Sequence, residues 1–217
     1  MVELPLFPLN TVLFPNMPLQ LHIFEDRYKR MIGLCIQEHR PFGVALIRYG
    51  LEAYGPLAEP YRVGCSAEIQ HVRKLQGGRM NILAKGKERF RILSLNRETL
   101  PYLVGTVEPY PLAISQPDQL KKVGSRLRVS VLRYIYLLSQ ASQTQSDMGS
   151  LPQDPISLIF YAAALVQVPP DQKQQLLETQ DAFDLFVSLQ SHYRREILLL
   201  KTMLESRIEQ KGSFSTN

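Results

Sequence analysis

The sequence predicts an α+β chain, with an antiparallel β-rich first half and a helical second half, and three observations predict it. Nine of the 15 prolines and nine of the 12 glycines fall in residues 1–110, which cuts that half into short runs bounded by turn residues. Several of those runs alternate apolar and polar side chains with period two, the pattern of a half-buried strand. After residue 110 the apolar residues recur instead at helical spacing over longer stretches. A boundary near 111–117 follows, giving a β-rich subdomain over 1–112 and an α-helical bundle subdomain over 113–217.

Taken in order, the proline-rich opening reads as a loop, and Leu19, Leu21 and Ile23 then share one face of a strand. Over 25–38, Tyr28, Met31, Ile32, Cys35 and Ile36 form a one-sided stripe at the α period, so a single helix interrupts the β half. The continuous apolar run over 42–49 suits a more central strand. Val63, Cys65, Ala67 and Ile69 face one way, opposite Ser66, Glu68 and Gln70, and Gln76-Gly77-Gly78-Arg79 suits a hairpin turn before the next strand.

In the second half, Leu120, Val123, Leu127, Val131, Tyr134 and Leu138 keep a helical repeat over 119–140, followed by a Ser/Gln linker over 139–150. Asp154 before Pro155 is an N-cap followed by proline at the first helical position. The helix over 156–167 is apolar nearly all round and is expected at the centre of the bundle. Pro169 and Pro170 stop it, a short helix fits 172–178, and a long one over 181–209 carries Phe183, Phe186, Val187, Tyr193, Ile197, Leu200, Leu204 and Ile208. The tail from 211 is expected to fray.

Composition narrows the function classes. A chain of 217 residues with 45% apolar content can bury a core, and a net charge of +5 with 21% charged residues excludes wholesale disorder. Two cysteines make neither a disulfide framework nor a four-cysteine zinc site. The first ten residues have no basic segment and are broken by Pro5 and Pro8, so no secretory leader is expected and the cytoplasm is the expected compartment. The apolar stretch over 156–168 is shorter than the ~18 residues of a membrane span.

Catalytic patterns are missing. No GxxxxGK[ST], HExxH or GxSxG string occurs, and His22, His39, His71 and His192 are scattered, so neither a catalytic set nor a metal or cofactor site is expected. The nearest string to a phosphate loop is Lys85-Gly86-Lys87-Glu88, where the glycine reads as a strand bulge. His22 falls on the polar side of its strand, and Cys35 on the apolar stripe reads as a buried, unreactive thiol. Eight basic residues between Arg73 and Arg97 stand against one acid, Glu88, which raises nucleic acid as a ligand. Arg89 and Arg91 alternate with Phe90 and Ile92, however, which is the pattern of a strand's wet face without the aromatics that stack on bases.

Several strings in succession resemble the Lon protease N-terminal (substrate-binding) domain family. They are LPLFPLNTVLFP at 4–15, Pro18-Leu19, and Ile23-Phe24-Glu25 with Arg27, Tyr28 and Met31. There follow FGVALI at 42–47, YRVGCSAEI at 61–69, Lys85-Gly86 with RFRI at 89–92, and YLVGTVE at 102–108. The helical half adds Pro155 onward and KQQLLET at 173–179, so the resemblance covers roughly residues 3–208. It implies a PUA-like β pseudo-barrel followed by an α-helical bundle, and a region that captures exposed apolar segments of unfolded or tagged proteins for an attached ATPase. No phosphate loop or Ser/Lys protease region is present, so the chain resembles a stand-alone member and proteolysis is not carried over.

The expected function is therefore a non-catalytic protein- or peptide-binding module, an adaptor for unfolded or tagged polypeptides working with a protease or chaperone. Phe14, Met17 and Pro18 fall where a loop is expected, and flexible methionines suit adaptable binding, as at Met80 by the hairpin. Leu9 and Met203 complete the candidate contact set. The alternatives are a nucleic-acid binder using residues 73–97 and a small-molecule binder, because a fold alone does not fix function.

Overall fold

The computed structural model describes residues 1–53, 57–142 and 150–213. Its strands and helices, in chain order, are β1 (Val2–Leu9), β2 (Pro18–Ile23), α1 (Asp26–Gln37), β3 (Phe42–Tyr49), β4 (Glu59–Pro60), β5 (Val63–Lys74), β6 (Met80–Asn96), β7 (Leu103–Pro109), α2 (Pro117–Ser142), α3 (Pro155–Leu165), α4 (Pro170–Glu178) and α5 (Ala182–Ser213). The fold is α+β. It divides into two compact units, residues 1–112 with 168–179 and residues 113–167 with 180–217.

In the first unit, five strands run in the order β1-β7-β6-β5-β3, and β1 also pairs in parallel with β3, so the sheet closes on itself. β4 pairs antiparallel with the end of β3, and among the described residues β2 pairs with β6 alone. Closure removes the edges of the five strands in the ring, which is how a small β unit limits exposed main chain. Both faces of β1 are buried: Leu4 and Leu6 enter one apolar cluster with Ala45, Phe90, Ile92, Leu103 and Val107, while Phe7 and Leu9 enter a second with Tyr28, Met31, Ile32, Cys35 and Phe42. The α1 stripe packs into this second cluster, as its spacing requires.

The opening segment corrects the sequence reading, since residues 2–9 form a strand despite Pro5 and Pro8. Proline is tolerated in a strand where its missing N–H has no ladder partner. Pairing with β7 covers Val2–Leu6 and pairing with β3 covers residues 6–9, so Pro5 and Pro8 each lie where only one flank of β1 is paired. β5 and β6 form the long hairpin, turning through Gln76–Gly78 with Gly77 and Gly78 at φ of 71° and 69°. That turn needs glycine's access to the left-handed region.

Arg89 is a second correction. It does not lie on a wet face but is 4% exposed, and its guanidinium donates to Leu177 O and Thr179 O at 2.6 Å each. Tyr110 donates its hydroxyl to Glu178 O at 2.9 Å, and its ring lies under the Arg89 and Arg91 guanidiniums at 4.9 and 4.4 Å. The last carbonyls of a helix have no intrahelical donor and carry partial negative charge, so a buried cation is well placed there. Gln174 adds a bond from Nε2 to Val63 O at 2.9 Å. These contacts place α4, which the sequence reading grouped with the later helices, in the first unit.

In the second unit α3 supplies the core through Leu158, Ile159, Phe160, Ala162 and Ala163. Asp154 caps it by accepting from the Ile156 and Ser157 amides at 3.2 and 2.7 Å. Tyr134 of α2 and Tyr193 of α5 meet edge-to-face at 5.2 Å, and Tyr193 donates to Ala162 O at 3.0 Å. α2 continues to Ser142 and α5 to Ser213, so the linker expected from 139 and the frayed tail expected from 211 each begin as helix. Their residues 143–149 and 214–217, and the side chain of Ile208, lie outside the described residues.

Candidate functional site

Among the described residues, the main chain of β2 has one strand partner, β6. Gly86 N donates to Met17 O at 2.9 Å just before the strand, and the ladder continues from Pro18 opposite Lys85 to Ile23 opposite Met80. In an antiparallel ladder successive residues direct their N–H and C=O alternately toward and away from the partner. The Gly86–Met17 bond sets the phase: Leu19, Leu21 and Ile23 turn toward β6, and Pro18, Gln20 and His22 turn away. Pro18 thus stands where no ladder donor is needed.

A cleft of about 290 Å³ runs along that outer edge, lined by four consecutive β2 residues, Gln20, Leu21, His22 and Ile23. Consecutive side chains point to opposite faces of a strand, so a cavity touching all four lies beside the strand and not on one face of it. The opposite bank is Phe7 and Leu9 of β1, Tyr28 of α1, and Glu52 with Ala53. Phe24, 36% exposed, closes one end and stacks on His22 at 5.9 Å. Burial pushes the Tyr28 hydroxyl up to about 12, an effect opposed by Arg27 and helped by Glu25 and Glu52, so the wall is uncharged there at neutral pH. Glu25 pairs with Arg27 at 2.9 Å, and Glu52 accepts from Asn10 N at 2.7 Å, which leaves two carboxylates against one guanidinium around the cleft.

Three of the expected contact residues are core. Leu9, Phe14 and Met80 are 3%, 1% and 8% exposed, and Leu9 and Met80 belong to the cluster under α1. Phe14 is fixed by its own backbone as well: a Cβ on Gly86 would lie 2.3 Å from Phe14 O, so the 14–17 loop sits directly on the strand glycine. Asn16 N donates to Gly86 O at 2.8 Å across the same contact. Met17 is half-buried against the core and Pro18 is exposed, adjoining the β2 edge. Met203 is exposed on α5, in the other unit. Leu21, Phe24, Glu25, Tyr28 and Glu52 line the cleft without having been singled out as contacts; Phe24 breaks the alternation of Leu19, Leu21 and Ile23, which is the signal that could have marked it.

The basic stretch is dispersed. Lys87 pairs with Glu68 at 3.1 Å and Arg91 lies 3.6 Å from Glu108, while Arg97 and Arg79 donate to the main-chain carbonyls of Leu57 and Gln76. Lys85-Gly86-Lys87-Glu88 lies inside β6, with a register shift between Cys65 and Ala67 opposite it. Both cysteines are buried and reduced. Burial pushes the Cys65 thiol up to about 12 and raises that of Cys35, so neither is a ready nucleophile at neutral pH. Among the described residues no three His, Cys, Asp or Glu side chains gather as metal ligands, and no helix is long and apolar enough to cross a membrane.

With this geometry in place, comparison with known proteins gives a consistent answer. Residues 3–192 match the family model of the ATP-dependent protease La (LON) substrate-binding domain. The chain belongs to this family. A Lon protease of Syntrophus aciditrophicus is 28% identical over 95% of the chain, and Lon protease 2 of Myxococcus xanthus is 28% identical over 98%. The chain spans only 27% and 26% of those two proteins, so the match is to their LON substrate-binding portion. A Lon N-terminal domain protein from Xanthomonas campestris has a similar structure, with a TM-score of 0.59 at 25% identity, covering 88% of this chain and 98% of its own. The N-terminal domain of a Mycobacterium avium complex Lon protease shares the fold, with a TM-score of 0.66 at 20% identity and coverage of 89% and 98%.

Proposed function

We propose that this protein is a non-catalytic recognition module that binds segments of unfolded or tagged polypeptides and serves as an adaptor for a protease or chaperone. The match of residues 3–192 to a LON substrate-binding domain carries the reading. The cleft beside β2 supports it, because an apolar wall with polar main chain alongside suits a polypeptide better than a small charged metabolite. The dispersal of the basic stretch and the burial of Arg89 count against nucleic acid, which would need cations aligned on one face.

The test is equilibrium binding of the full chain to reduced, carboxymethylated lactalbumin, a permanently unfolded protein, followed by fluorescence anisotropy. Binding should be micromolar or weaker and change less than about threefold between 50 and 200 mM salt, since apolar contacts are insensitive to screening. The absence of binding, or a collapse of affinity over that salt range with competition by single-stranded DNA, would overturn the reading.

A further inference from the structure

We infer that the outer edge of β2 receives an extended polypeptide segment as an added strand, with apolar side chains of the segment in the cleft between β2 and the end of β1. This rests on the polypeptide-binding function proposed above and specifies where and how that binding occurs.

The argument begins with main-chain accounting. Every strand of the closed ring has at least two neighbours, whereas among the described residues β2 has only β6. The phase set by Gly86 and Met17 leaves the N–H and C=O of Gln20 and His22, and the C=O of Pro18, directed away from β6. Such groups are a template for another chain, and proteins usually blunt them with charge, proline or a covering element. Only Pro18, at the first position, is blunted here; Gln20 and His22 are neither lysine, carboxylate nor proline, and both are exposed. The edge is also short, six residues, which suits a brief stretch of ligand and disfavours runaway sheet growth.

The cleft supplies the second requirement. A strand added along β2 puts alternate side chains toward the core side, and there the cavity is walled by Phe7, Leu9, Leu21, Phe24 and Tyr28. At about 290 Å³ it accommodates one or two aliphatic side chains and no folded element. Main-chain bonds are blind to sequence, and apolar pockets are tolerant of it, so together they suit many unrelated unfolded segments. Glu25 and Glu52 bias the choice. With Arg27 as the single counterion, the cleft favours a segment that carries a lysine or arginine beside its apolar residues and disfavours an acidic one.

The experiment uses the full chain and an eight-residue peptide that alternates valine and threonine with one terminal lysine. Two N-methylated versions are compared, one methylated at the valine amides and one at the threonine amides. The apolar cleft pins the register, because a one-residue slip would turn the valines out. One methylation phase should therefore weaken binding at least tenfold and the other less than twofold. On saturation with the unmodified peptide, amide exchange at Gln20 and His22 should slow at least tenfold. Gln20→Pro, which deletes an outward N–H without touching the β6 ladder, should weaken peptide and lactalbumin binding at least tenfold, and Val129→Ser, at an exposed position of α2, should not. Replacing the peptide's lysine by glutamate should weaken binding several-fold at 50 mM salt.

Equal tolerance of both methylation phases, or unchanged exchange at Gln20 and His22, would overturn the added strand even if Gln20→Pro failed to fold. Binding that persists in the folded Gln20→Pro protein would remove this edge while leaving the general function standing. No binding of lactalbumin by the unaltered protein would remove that function itself. A concentration-dependent dimer abolished by Gln20→Pro would assign the edge to a second copy of the chain and overturn the proposal.

Discussion

The two flanks of β6 are finished in opposite ways. Toward its C-terminal half, main-chain groups are closed off: Arg89 reaches the last carbonyls of α4, Gln174 covers Val63 O, and Tyr110 takes Glu178 O. Toward its N-terminal half the neighbouring β2 ends in an edge with a cleft beside it. Both regions belong to one sheet and are built from similar alternating sequence. The difference is that side chains distant in sequence have been recruited to seal one region and, among the described residues, no strand pairs with the outer edge of the other, which marks the first as structural and the second as open.

The comparison can be broken at several points, with the greatest effect at the sealed flank. Arg89→Met leaves two carbonyls at the α4 terminus without their donor and should destabilise the protein by about 2–3 kcal/mol, lowering the thermal midpoint by about 5–10 °C. Arg89→Lys should recover only part of this, because one guanidinium nitrogen donates to both oxygens while the planar group stacks on Tyr110, and a compact, strongly hydrated ammonium loses that stacking. If calorimetry gave no change for Arg89→Met, the sealing of that flank would be incidental.

Gly86→Ala comes next. The added methyl would meet Phe14 O at 2.3 Å, a backbone atom that cannot rotate away, so the loop leading into β2 must shift at a cost of about 2 kcal/mol in denaturant unfolding. Gln174→Leu should cost less, about 1 kcal/mol. It removes the donor to Val63 O but also an amide oxygen that is buried without a hydrogen-bond partner. His22→Thr should be smallest: the side chain is exposed, and its contact with Asn81 Oδ1 at 2.6 Å lies on the surface, so stability should change by less than about 0.5 kcal/mol. A large loss of stability there would show that the open edge is as structural as the sealed one.

A further check lies in acid. Burial alone would raise the Asp154 carboxyl, but hydrogen bonds from Ser157 and Ile156 outweigh it and hold the group below its ordinary value. The stability it confers is therefore complete above the unfolded aspartate range near ~3.9 and is lost as the pH falls below it. Asp154→Ala should cost about 1 kcal/mol at neutral pH and progressively less as the pH falls below the unfolded aspartate range, as measured by paired melts.

Much of this fold was legible from local pattern. The period-two runs at Leu19–Ile23 and Val63–Ile69, the stripe through Met31 and Cys35, and the Asp154-Pro155 start of α3 depend on short-range rules, and each lies where those rules place it. What escaped depends on pairing. Pro5 and Pro8 argue against a strand until it is known which flank of β1 is unpaired at each. Arg89 and Arg91 look alike beside Phe90 and Ile92, yet one is buried, because carbonyls from residues 177 and 179 arrive over it. The burial of Phe14 and the open edge escaped for the same reason. Phe14 looked like a loop residue, as it is, but the glycine it rests on is 72 positions away in sequence, and the open edge of β2 is a property of its neighbours that no string within residues 18–23 records.

The loan of α4 to the β unit also has a consequence in time. A chain emerges from the ribosome at roughly 5–20 residues per second, and Arg89 must wait for residues 88 and 90 positions later before its carbonyl partners exist. For something on the order of 5–20 seconds the nascent β unit carries an unsatisfied cation where its seal will be, while most of the helical unit is being made. The β unit comes first in the gene, but it is complete only after α2 and α3 of the helical unit have been made.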